Sequence, residues 1–86
     1  MEIVFLPEAK EDLNYWVKTG NKPILKKIAQ LVEAIQQSPF EGIGKPEPLK
    51  YNHTGTWSRK INREHRLVYE FRDNKLLIYS ARGHYK

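Results

Sequence analysis

The 86-residue chain contains no cysteine. A disulfide framework, a cysteine-based zinc site and a thiol nucleophile are excluded together. Long hydrophobic runs are also absent: the longest, Ile3-Val4-Phe5-Leu6 and Leu76-Leu77-Ile78-Tyr79, hold four residues each. A membrane span needs about 20 apolar residues and a signal-peptide core about 7–15, so neither is expected. Arginine is missing from the first half. Residues 1–43 carry five lysines against six acids, whereas residues 44–86 hold all five arginines, all three histidines and a net charge of +6. A basic, arginine-rich half is the footprint expected for a polyanion partner, most often nucleic acid, and a merely solvated basic surface has the same composition. Hydrophobic residues make up 40% of the chain, which points to a packed globule rather than disorder. At this length residues 1–86 are expected to form one domain, and the lack of cysteine fits a reducing, cytoplasmic location.

Residues 2–6 read as a short strand that Pro7 ends. Ala9, Leu13, Trp16 and Val17 recur at helical spacing, with Pro7 suited to the first turn and Glu8, Glu11 and Asp12 near the positive dipole end. Gly20 is a stop signal, and Asn21 offers an N-cap for a second helix running to about 37 along the stripe Ile24, Ile28, Leu31, Val32 and Ile35. The short link predicts an antiparallel helix hairpin. Residues 38–56, rich in proline and glycine, form an irregular segment of a length that is uncommon in a small domain unless it carries function. Strands are predicted over 56–61, 65–71 and 76–81, joined by turns at Asn62-Arg63-Glu64 and Asp73-Asn74. The order β-α-α-β-β-β implies an α+β domain: an antiparallel sheet with the helix hairpin packed on one face and the other face open and basic.

Three residue types in the second half could do chemistry together. Glu47 lies between Pro46 and Pro48, and proline both fixes its own φ and drives the preceding residue into extended conformation. A carboxylate on so stiff a segment is pre-positioned as a general base, although an exposed acid in a turn looks the same. In the strand from His65 to Phe71, alternation turns Leu67, Tyr69 and Phe71 to the helices and Arg66, Val68 and Glu70 to the open side. Arg66 then becomes a fixed planar cation suited to clamping a phosphate, or a member of a cross-strand ion pair. If the last strand stays extended, Arg82 and His84 point the same way, and His84 can transfer a proton near neutral pH. A frayed terminal histidine is the plain alternative. Base, cation and acid are the set required to cleave RNA by attack of a ribose 2′-OH on the adjacent phosphate, a scheme that calls for no metal and no cofactor. The histidines lie 12 and 19 residues apart, without metal-ligand spacing. A non-catalytic module that binds RNA or ribosomes through the same basic face is the rival reading.

Three blocks, in order, resemble one family. They are Pro39-Phe40-Glu41-Gly42-Ile43-Gly44-Lys45-Pro46-Glu47-Pro48-Leu49-Lys50, then Gly55-Thr56-Trp57-Ser58-Arg59-Lys60-Ile61 with Glu64-His65-Arg66-Leu67-Val68-Tyr69, and finally His84-Tyr85. Together they resemble the YoeB/Txe toxins of bacterial type II toxin–antitoxin modules, within the RelE superfamily. The resemblance implies a RelE-like microbial ribonuclease fold and cleavage of mRNA in the ribosomal A site. It implies Glu47 as general base, Arg66 as stabiliser of the phosphorane, His84 as general acid and Tyr85 beside it. Lys50, Arg59 and His65 fall at family positions near substrate or ribosomal RNA. The partners it implies are mRNA, the ribosome, a YefM-type antitoxin and a second copy in a homodimer. Two departures stand out: Arg59-Lys60 where the family often has two arginines, and Gly83 where a bulkier residue is common.

Overall fold

The first apolar run forms strand β1 (Glu2–Phe5) in the computed structural model, which describes residues 1–49 and 55–83. Pro7 opens helix α1 (Pro7–Lys18), with Glu8 in the first turn and Lys18 in the last, both matched to the helix dipole. Gly20 ends the turn at φ 68, a conformation that costs glycine little. Asn21 then caps α2 (Lys22–Gln37), its side chain accepting from the Ile24 N–H at 3.3 Å. The expected stripe is buried at Ile24, Ile28, Leu31 and Ile35, and full burial of such a side chain is worth about 1.5–3 kcal/mol.

The chain continues into β2 (Glu47–Pro48), β3 (Thr56–Lys60), β4 (Arg66–Arg72) and β5 (Lys75–Ser80). The β4–β5 hairpin turns at Asp73 and Asn74, with φ 54 and 59, the paired positive values that tight hairpins require. Strand order is β1-β5-β4-β3-β2. Between β2, β3, β4 and β5 the pairing is antiparallel, but β1 runs parallel to β5, with Ile3 opposite Leu76 and Phe5 opposite Ile78. The sheet is therefore mixed, which corrects the all-antiparallel expectation. Neighbouring strands in sequence can be joined by tight turns, but a parallel pair needs a long crossover, and here nearly the whole chain separates β1 from β5.

Trp16, Ile24, Ile28, Leu31 and Ile35 of the helices share one core with Leu67, Tyr69, Leu76, Ile78 and Ala81. Both helices thus cover a single sheet face. The opposite face follows from the register: Glu47 lies beside Ser58, Ser58 beside Val68, Val68 beside Ser80, and Lys60 beside Arg66. An irregularity at Val68/Tyr69 leaves Tyr79 as an extra residue on β5. No helix among the described residues is long and apolar enough to cross a membrane.

Candidate active site

Glu47 reaches the open face because β2 is laced to the edge of β3. The Lys60 N–H donates to Gly44 O at 2.7 Å and the Leu49 N–H to Thr56 O at 2.9 Å. Glu47 itself is exposed. Upstream, Lys45 takes φ 51 rather than the extended conformation expected before Pro46, so the loop is held by its anchors more than by its prolines.

The chief anchor is Arg59. Its side chain is 0% exposed and lies on the helix side of the sheet, with Trp57 and Ile61 two residues either way. Nε donates to the Tyr69 hydroxyl at 3.1 Å, Nη1 to Ile43 O at 3.2 Å, and Nη2 to Ser38 O at 2.6 Å and Glu41 O at 2.8 Å. The Tyr69 hydroxyl in turn donates to Pro39 O at 2.8 Å. This corrects the placement of Arg59 near substrate: its cation is spent on the carbonyls of residues 38–43, fixing the loop that leads to Glu47. Burial raises the Tyr69 pKa above its ordinary 10.0, and Arg59 opposes that shift. The outward cation on β3 is Lys60, exposed and paired in register with Arg66.

Arg66 is half-buried at the start of β4. Its Nη1 donates to Asn62 O at 2.9 Å, His65 O at 3.2 Å and Arg63 O at 3.4 Å, so the guanidinium is braced by the β3–β4 turn. Glu47 and Arg66 are separated by two strand spacings and two residues, roughly 12 Å between their Cα atoms at ordinary sheet dimensions. The Glu47 carboxyl is exposed at one edge of this span, and the Arg66 guanidinium is held at the other by the turn carbonyls. Deeper on this face lies a cavity of about 340 Å³ lined by Leu6, Pro7, Glu8, Thr56, Val68, Tyr79 and Ser80. The Tyr79 hydroxyl donates to Glu70 Oε1 at 2.6 Å, and this bond, with burial and the Glu70 charge, raises the phenol's pKa.

Extended conformation does not persist through residues 81–83. β5 stops at Ser80, Gly83 takes φ 90, and the Arg82 guanidinium sits 3.7 Å from the centroid of the Tyr15 ring on α1. Residues 81–83 are instead tied down. The Ala81 N–H donates to Asp12 Oδ2 and Trp16 Nε1 donates to Ala81 O, each at 2.9 Å. The Arg66 N–H donates to Gly83 O, and the Gly83 N–H to His65 Nδ1, also at 2.9 Å. The His65 ring, half-buried, stands edge-on to Trp16 at 4.7 Å and spends its Nδ1 on Gly83. Lys50, His84 and Tyr85 lie outside the described residues.

The anchors Asp12, Arg59 and Tyr69 were not singled out as such from the sequence. Asp12, 8% exposed, sits three residues after Ala9 and four before Trp16, and a carboxylate on an apolar stripe signals a buried partner. Arg59 shares the parity of Trp57 and Ile61, which is the same kind of signal on a strand.

The family model described as "YoeB-like toxin of bacterial type II toxin-antitoxin system" matches residues 5–85. "Toxin YoeB" of Synechocystis sp. is 51% identical over 86 residues, covering 100% of this chain and 99% of that one. The YoeB dimer from Staphylococcus aureus superposes with a TM-score of 0.90 at 48% identity, covering 99% of this chain and 98% of that one. The YoeB-YefM complex from Staphylococcus aureus gives 0.88 at 49% identity with the same coverage.

Proposed function

Because this chain belongs to the YoeB-like toxins of bacterial type II toxin–antitoxin systems, we propose that it inhibits translation in the cytoplasm as a ribosome-dependent endoribonuclease that cuts mRNA in the A site. The observation that carries this reading is that the strand register puts Glu47, exposed, and Arg66, half-buried, on the sheet face away from the helices, each held by neighbouring strands or turns. Glu47 takes the proton of a ribose 2′-OH. The 2′-oxygen attacks the adjacent phosphorus, and the Arg66 guanidinium meets the charge that builds on the phosphorane oxygens. His84 protonates the departing 5′-oxygen, leaving a 2′,3′-cyclic phosphate and a 5′-hydroxyl. A positioned acid or base contributes about 10²–10⁴-fold each, with charge stabilisation adding to it. Tyr85 adjoins His84 in sequence and is assigned beside it, and Lys50 is assigned to the substrate.

Two partners follow from the solved relatives, one titled a YoeB dimer and the other a YoeB-YefM complex. For this chain we assign a YefM-type antitoxin, with an acidic segment drawn to the basic half, and a homodimer. Purified chain added to programmed ribosomes is expected to cut mRNA at the A-site codon and to leave the same RNA intact without ribosomes. Efficient cutting of naked RNA would overturn the ribosome requirement. Binding without cutting in either case would favour a non-catalytic module.

A further inference from the structure

Gly83 is the last residue described before His84, and two hydrogen bonds locate it. Its C=O accepts from the Arg66 N–H and its N–H donates to His65 Nδ1, both at 2.9 Å. The first ties it to the strand that carries the phosphate clamp. The second depends on a side chain whose own position is determined from two directions. The His65 N–H donates to Asn62 Oδ1 at 2.8 Å, and its C=O accepts from Ile61 and Asn62. Its ring stands edge-on to Trp16, whose Nε1 donates to Ala81 O two residues before Gly83.

The accepting role of Nδ1 requires the neutral imidazole with its proton on Nε2. Gly83 itself is exposed, has φ 90, and among the described residues has nothing within 4 Å of where a Cβ would stand, so none of them fixes it by packing. Among the described residues, release of the His65 bond would leave this glycine, the most permissive of residues, with the Arg66 backbone bond as its one hydrogen bond.

We propose that His65 is a positioning residue for the C-terminal His84-Tyr85 pair, acting through its Nδ1 on the Gly83 N–H. The inference rests on the reading of His84 as general acid. Its logic is geometric: a group that must meet the leaving oxygen tolerates little displacement, and a misplacement of about 1 Å can cost about 10²-fold in rate.

The test uses full-length protein labelled with ¹⁵N in glycine and histidine. In the wild type the His65 ring should show an unprotonated Nδ1 and an Nε2–H. His65→Phe keeps a ring against Trp16 and removes the acceptor. Its Gly83 amide should exchange with solvent roughly 3–10-fold faster, the effect of one net hydrogen bond. Single-turnover cleavage on programmed ribosomes should fall about 10–100-fold with the half-saturating protein concentration unchanged. His65→Asn, which restores an acceptor near Nδ1, should recover much of both. A wild-type ring carrying the proton on Nδ1, or His65→Phe with wild-type Gly83 exchange or cleavage, would overturn the proposal. Failure of the functional reading looks different: the wild type would not cut at all, the positioning role would fall with it, and Gly83 protection would still report the bond.

Discussion

Replacing Arg59 by methionine separates support of the loop from contact with RNA. The guanidinium makes four hydrogen bonds, to Tyr69, Ile43, Ser38 and Glu41, from a site with 0% exposure. Hydrogen bonds from a charged donor are worth about 1.5–3 kcal/mol each, but they do not add, because removing the cation also ends its desolvation cost. The carbonyls of the exposed Glu41 and Ile43 can turn to water, whereas among the described residues the Tyr69 hydroxyl keeps only its bond to Pro39. A net loss of about 3–5 kcal/mol is expected, as for other broken buried polar networks. That is a large share of the roughly 4–13 kcal/mol available to a domain of this size. It corresponds to a fall of roughly 15–30 °C in the unfolding midpoint. Arg59→Lys keeps the charge without the fork and should fall between the two. The assay is thermal unfolding by circular dichroism, paired with ribosome binding at a temperature where both proteins are folded. Wild-type thermal stability combined with weakened binding would refute the reasoning and return Arg59 to the RNA-facing surface.

Glu47→Gln should lower the single-turnover rate about 10²–10⁴-fold while ribosome binding changes little, since the lost group acts on a proton rather than on docking. Lys60→Ala should weaken binding and reduce the slope of log affinity against log salt by about one, because Lys60 is the exposed cation of β3. Gly44→Ala would place a Cβ 2.8 Å from Leu31 Cδ2 and 3.0 Å from Arg59 Cβ at φ 84. It should cost about 1–3 kcal/mol in urea unfolding and lower cleavage by shifting the segment that carries Glu47. The raised pKa values of Tyr69 and Tyr79 mean that the fold favours the protonated phenols. Their contribution is complete below pH 10 and lost as pH rises through the folded-state values, so unfolding midpoints should decline above pH 10, less steeply in Tyr79→Phe.

Local order was readable from local signals. Pro7, Gly20 and Asn21 bracket the helices, the 24-28-31-35 stripe predicts the buried face, and Asp73-Asn74 marks the hairpin that forms. Alternation correctly puts Arg66 with Val68 on the face away from the helices. What escaped was long-range or required parity to outweigh chemistry. The β1–β5 pairing joins Glu2 to Lys75 and has no local signature. Arg59 and His65 drew attention as polar residues among family positions, yet each shares its parity with core residues, Trp57 and Ile61 for one, Leu67 and Tyr69 for the other. Their polar atoms are satisfied by backbone groups distant in sequence, the 38–43 carbonyls and the Gly83 N–H. Neither the sequence pattern nor composition could name those partners.

The most direct measurement of the central claim is cleavage of an A-site mRNA carrying a single 2′-deoxynucleotide on the 5′ side of the scissile phosphate. With the 2′-OH as nucleophile, the purified chain should cut the all-ribose message on programmed ribosomes to a 2′,3′-cyclic phosphate and a 5′-hydroxyl. It should leave the substituted message intact at that bond. Cleavage of the deoxy-substituted bond at the unmodified rate would contradict transesterification, and with it the roles assigned to Glu47, Arg66 and His84.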